Sequence, residues 1–177
     1  VDQFNIHTVG DPEAKCYAPG VPRAMYMPFP FQIVQMANKV LMVFGYSNVS
    51  RFIQLEDHQE APIDLWMGWS NGHFEGDTLV VDVTGFNGLA WLDRAGNFTS
   101  NALHVVERYT PSGQNTIMYE ATIEDPNVFT RPWKMSFPLY RRLEKNVQVL
   151  DFRCVPFTEE FLYASLAKKG SYVKKGS

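Results

Sequence analysis

The stretch "GHFEGDTLVVDVTGF", residues 72–86, alternates apolar and polar side chains on either side of the turn formers Gly76 and Asp77. Alternation of this kind marks a half-buried strand, because successive side chains leave opposite faces of the pleat. Leu79, Val81 and Val83 share one face, and Thr78, Val80, Asp82 and Thr84 share the other. The apolar set faces the core, so Asp82 is expected to point outward, where it can take part with Arg108, Glu120 and Lys134 in cross-strand charge pairing.

Strand-like runs recur outward from this segment at intervals of roughly ten residues. They are "FQIVQM", "VLMVFGYS", "RFIQLE", "LWMGW", "TLVVDVTGF", "ALHVVERY", "NTIMYEATIE", "RPWKMSFPLY" and "NVQVLDFRC". The connections "ANK", "EGD", "PSGQN" and "LEKN" are short and rich in residues that tolerate tight turns, so most strands should pair antiparallel with the next. Residues 158–168, within "TEEFLYASLAKKG", read as one short helix with Thr158 as its N-cap and Gly170 beyond its end. Together these predict an all-β chain: a lipocalin-like antiparallel β-barrel of eight to nine strands with a short C-terminal helix.

Residues 1–30 carry Pro12, Pro19, Pro22, Pro28 and Pro30, which discourages regular structure and suggests an extended arm lying over something else. The longer connections 56–64 and 87–101 exceed hairpin length and are expected to rim a barrel mouth. With no repeat or linker signal, 177 residues form one domain, long enough to bury roughly 70% of the unfolded surface.

The formal charge is −3, and the basic residues cluster only in the C-terminal "AKKGSYVKKGS", which argues against a nucleic-acid partner. No apolar run is long enough for a membrane-spanning helix. The start "VDQFNIH" shows no signal-peptide pattern, as expected of a mature or cytosolic chain. The four histidines lack the spacing of a metal site, and no phosphate loop, dinucleotide fingerprint or nucleophile elbow occurs, so neither a metal nor a cofactor is expected. Cys16 and Cys154 fit two readings, a pair of buried free thiols or, as expected of an exported chain, a bridge closing a loop of about 138 residues and worth at most ~4 to 5 kcal/mol.

The same parity places Leu103, Val105, Glu107 and Tyr109 inward, with His104, Val106 and Arg108 outward. In the next strand it places Ile117, Tyr119, Ala121 and Ile123 inward. Glu107 is the charged residue on an apolar face, expected either to reach the barrel mouth or to suffer desolvation. The candidate catalytic groups are His104, Glu107 and Asp93, the last beside Trp91, Arg94 and Asn97 in "WLDRAGNF". Trp69, Trp91, Arg108, Tyr119 and Trp133 are candidate ligand-binding residues, as aromatic walls and a cation for a small, partly apolar molecule. Three functions fit: cofactor-independent acid/base chemistry of lyase, isomerase or dehydratase type, a non-catalytic carrier, and a structural subunit that assembles with copies of itself as a homo-oligomer.

The blocks "GVPRAMYMPFPFQIVQ", "EGDTLVVDVTGFN", "WLDRAGNFTSNALHVVERY" and "IEDPNVFTRPW" resemble a family of bacterial proteins, many of them exported, for which no activity is established. The resemblance runs from about residue 15 to residue 155. It implies a periplasmic or secreted location in a bacterium and keeps Asp93, His104, Glu107 and Arg108 within the shared blocks. The family pattern has Gly-Arg-Trp-Glu-Gly-Asp where this chain has "GHFEGD", and Asp-Gly-Arg-Pro-His-Pro near "LEDHQEAP".

Overall fold

The computed structural model describes residues 10–150, 152–158 and 162. Its eight strands are β1 (Phe31–Gln35), β2 (Lys39–Phe44), β3 (Ser50–Gln54), β4 (Trp69–Glu75), β5 (Thr78–Thr84), β6 (His104–Gly113), β7 (Thr116–Glu124) and β8 (Trp133–Tyr140). They form one sheet in sequence order, curled into a half-barrel, so the all-β expectation holds. Two features depart from a closed antiparallel barrel: β1 and β8 are the outer strands of the order, and β3 meets β4 in parallel through only Ile53 with Ser70 and Gln54 with Asn71.

The parallel contact is short because the two strands diverge. Where they cross, a Cβ on Gly72 would lie 2.6 Å from Ile53 Cγ2, so only glycine allows the approach. Beyond it the chain leaves β3, and the ring of His58 (Nε2) bonds the carbonyl oxygen of Gly72 at 2.9 Å, satisfying a group that a longer β3 would have paired.

Two runs expected as strands are not. In "LWMGW" only Trp69 begins a strand; Leu65 makes an isolated bridge to Phe86. "NVQVLDFRC" crosses the end of the sheet irregularly, with Phe152 making a single parallel bridge to Tyr46. Both runs are apolar enough to resemble strands, but neither finds a free ladder at its place in the fold. No α-helix is seen among the described elements. The segment expected to be helical, 158–168, lies almost entirely outside the described residues.

The described part of the arm, residues 10–30, is neither extended nor superficial. It contains two short 3-10 turns, Pro12–Lys15 and Arg23–Met25. Val21, Ala24 and Met25 are buried in the same core as Met42, Ile53, Val81, Val83, Val105, Tyr119 and Ile123. The arm therefore packs against the concave side of the sheet. It is fastened by ion pairs: Arg23 donates to both carboxylate oxygens of Asp11 (2.8 and 2.7 Å) and to Glu13 (2.9 Å), and Arg94 also donates to Glu13 (2.8 Å to each oxygen). Tyr26 completes the clasp through its hydroxyl on the Leu92 carbonyl.

Cys16 is bridged to Cys154, joining the arm to the segment after β8. Of the two readings open to this pair, the bridge is the one the structure shows. Unreduced, denatured protein should accordingly show no thiol open to alkylation, and reduction should expose two and destabilise the fold by ~2 to 5 kcal/mol. Mass spectrometry after alkylation, with and without reductant, checks this.

Candidate functional site

The inward face of β6 carries Glu107, which lies opposite Val81 on β5 and Ala121 on β7. Its exposure is 0%, so it does not reach a barrel mouth. Three donors converge on the carboxylate: Tyr109 (2.9 Å) and Tyr119 (2.8 Å) through their hydroxyls on Oε1, and Arg51 Nη2 on Oε2 at 2.5 Å. Tyr109 and Tyr119 are directly paired across β6 and β7, which sets their rings 5.1 Å apart with both hydroxyls aimed at the same oxygen.

Arg51 comes from β3, three strands away. At about 4.8 Å per strand the two backbones would stand roughly 14 Å apart on a flat sheet, so the curl brings the side chains together. The guanidinium is 2% exposed and uses one nitrogen for Glu107. Its Nε and Nη1 are buried and have no partner among the described residues. Burial alone would lower the Arg51 pKa, but the Glu107 carboxylate and the two phenols outweigh it, and the pKa is raised. Burial, reinforced by the Glu107 charge, raises both Tyr109 and Tyr119 well above the ordinary phenol value. The phenols are therefore donors held protonated, around a carboxylate whose accepting positions are largely occupied.

Above this cluster sits the arm: the hydroxyl of Tyr109 also lies 3.6 Å from Met25 Sδ and 3.9 Å from Met42 Sδ. Tyr119 packs on Phe137 at 5.0 Å, and Phe137 meets Tyr26 of the arm edge-on at 6.3 Å. Trp133 faces the same side, opposite Ile123, with its ring against Phe129 and its Nε1 buried without a partner among the described residues.

The outer face has a different character. Asp82 is exposed, as parity predicts, and accepts from or donates to no core group; its Oδ2 meets His104 Nε2 at 2.8 Å, with exposures of 53% and 37%. Arg108 pairs with Glu75 (2.8 Å) and Lys134 with Glu120 (2.9 Å). Such exposed pairs contribute only ~0.2 to 1 kcal/mol each. His104 and Glu107 thus lie on opposite faces and act in separate environments, as their spacing requires.

Trp69 also faces outward, opposite Thr84, so it shares no wall with Tyr119 and Trp133. The connection 56–64 folds over this region instead of rimming a mouth. Asn71 donates to the Gln59 carbonyl at 2.9 Å, and a Cβ on Gly85 (φ 65) would lie 2.2 Å from Ala61 Cβ. Asp93 closes a turn: it accepts from the amides of Ala95 (2.8 Å) and Asn97 (3.2 Å) and from Asn97 Nδ2 (2.6 Å). Burial raises its pKa, while these bonds more than reverse that, leaving it lowered. Arg94 turns away to Glu13, and the Trp91 carbonyl accepts from Arg23, so "WLDRAGNF" is the clasp of the arm.

Arg51, Arg23 and Asp125 are missing from the residues singled out by sequence. Asp125, 1% exposed, accepts from the Ser100 amide (2.6 Å) and hydroxyl (2.7 Å) and anchors the connection entering β6. For Arg51 a signal was present: it stands two residues before the apolar Ile53 and so shares its inward face.

Comparison of the chain with protein-family models, with curated proteins and with solved structures gave no match. Among the described residues no cluster of His, Cys, Asp and Glu could hold a metal ion, and no helix is long and apolar enough to cross a membrane.

Two measurements probe these arrangements. Glu107→Gln should destabilise the fold by ~3 to 5 kcal/mol, because it strands a buried guanidinium, whereas Arg51→Met combined with Glu107→Leu should recover most of that loss in a urea titration. The second concerns Glu13, whose pKa burial raises but whose bonds to Arg94 and Arg23 bring it below 4.5. Its contribution is present in full above that value and is lost as pH falls through the depressed folded pKa. Melting temperature should therefore drop as pH is lowered from about 6 to about 3, and Glu13→Gln should remove part of that dependence.

Proposed function

We propose that the protein binds a small, partly apolar molecule between the arm and the concave face of the sheet, through the Arg51–Glu107–Tyr109–Tyr119 cluster. The observation that carries this reading is the pair of buried guanidinium nitrogens, Nε and Nη1 of Arg51, with no partner among the described residues. A buried donor left unmade costs ~1 to 3 kcal/mol, more for a charged group, and a ligand oxygen would remove that penalty. Because Glu107 already neutralises Arg51, a second buried anion would be uncompensated. The ligand is therefore a neutral molecule whose polar groups are acceptors, such as a carbonyl or ether, with aromatic and aliphatic walls from Phe137, Trp133 and Met25 around it.

Acid/base chemistry on such a ligand is a second reading, favoured by the two phenols that share Oε1 of Glu107. Glu107 would take a proton from the carbon beside a bound carbonyl and return it to another atom of the same ligand, while Tyr109 and Tyr119, held protonated, would donate hydrogen bonds to the oxyanion that develops, without a cofactor. The outer His104–Asp82 pair and the structural Asp93 lie outside that space. The bridge between Cys16 and Cys154 and the resemblance to exported bacterial proteins together support a periplasmic or secreted location.

Nile red, a neutral apolar dye with a carbonyl acceptor, tests the binding reading by fluorescence titration. The wild-type chain should show saturable, blue-shifted emission. The Arg51→Met, Glu107→Leu double variant should keep its melting temperature within a few degrees yet bind the dye at least about tenfold more weakly, the loss expected for a hydrogen bond to a charged group. Equal affinity in a folded double variant would overturn the assignment.

A further inference from the structure

The two outer strands of the sheet differ in how their free edges are built. In β8, Arg141 N donates to Asn115 O, which fixes the alternation of its ladder with β7. The odd-numbered residues of β8 bond β7, and the even-numbered ones, Lys134, Ser136 and Pro138, turn their backbone toward the open side. Pro138 has no N–H to offer there, and a lysine stands on the same edge. Both features block the addition of another strand.

On β1 the alternation follows from two bonds that flank it, Gly45 N to Pro30 O (2.8 Å) and Met36 N to Lys39 O (2.9 Å), with Phe31 opposite Phe44. Gln32 and Val34 therefore bond β2, and the N–H and C=O groups of Phe31, Ile33 and Gln35 face the open edge. Among the described residues β1 pairs with β2 alone. The edge holds no proline, and residues 31–38, "FQIVQMAN", hold no charge. Ile33 is 42% exposed although it lies on the concave side opposite the buried Met42, and Val34 on the outer side is 37% exposed.

We infer that β1 is a self-association edge, at which a second copy of this chain adds antiparallel to continue the sheet. The strand fits its own copy. A two-fold axis through Ile33 sets Ile33 against Ile33 and Phe31 against Gln35 of the other copy, and every outward amide and carbonyl of the three residues then finds a partner, six hydrogen bonds in all. No like charges meet, because the segment carries none, and that same neutrality gives a charged foreign peptide nothing to read. The joined edge covers Ile33 from both copies on the concave side. On the outer side it extends the row that runs from Phe52, itself 50% exposed, through Leu41 to Val34.

Light scattering after size exclusion and amide exchange at several concentrations test the inference. The wild-type chain should have a mass of about 40 kDa, twice its 20.2 kDa, and its Ile33 and Gln35 amides should exchange more slowly as concentration rises. Ile33→Pro removes an outward donor without touching the β2 ladder and should give a folded monomer. Ile33→Lys, which opposes two like charges, should do the same, and an equal mixture of the Ile33→Lys and Ile33→Glu chains should restore the dimer. A monomer at every concentration would overturn the proposal. So would a dimer indifferent to both substitutions, or β1 amides protected equally at all dilutions, which would mean that the chain covers its own edge.

Discussion

The ion pair between Arg51 and Glu107 holds the shape of the whole sheet. Backbone pairing between β3 and β4 is confined to two residues of each, so the first three strands and the last five are nearly separate ladders. Arg51 stands in the part of β3 that has no β4 neighbour, and its bond to β6 draws the two ladders together across the concave side. A charge pair with no access to water is a poor source of net stability but a strong source of uniqueness here, since neither partner can leave without stranding the other. The two tyrosine hydroxyls make the arrangement stiffer by fixing the carboxylate from a second direction.

The remaining charges are arranged around that centre. Asp11, Arg23, Glu13 and Arg94 form a chain of ion pairs that presses the arm onto the sheet, so that Met25 closes over Tyr109. The outer face carries pairs of the same residue types in solvent, where they fix little. Identical chemistry thus has two meanings in this molecule, set by whether the side chain lies under the arm or beyond the sheet.

Parity along strands was a dependable guide because one face of each strand is buried: Glu107 and Tyr119 went inward and Asp82, His104 and Arg108 outward, as the alternation of their neighbours requires. What alternation cannot express is curvature. Nothing in "RFIQLE" or "ALHVVERY" says that residues three strands apart will meet, so Arg51 passed as an ordinary strand residue. Trp69 was misplaced for a related reason, since "LWMGW" reads as a strand by composition, yet the ladder there begins only at its last residue and turns Trp69 to the outer face. The arm's prolines spoke correctly against strand and α-helix, although Pro12 and Pro22 open short 3-10 turns. They were silent on burial, which comes from Val21, Ala24 and Met25 finding an open concave surface.

The cross-link between Cys16 and Cys154 spans 138 residues and encloses all eight strands. Load applied along the chain from its two ends therefore enters at one sulfur and leaves at the other. The tension runs through a covalent bond and bypasses the ladders, the buried ion pair and the clasp of the arm. Mechanically the sheet is a slack loop hanging from a short tether, protected from stretching for as long as the surroundings remain oxidising.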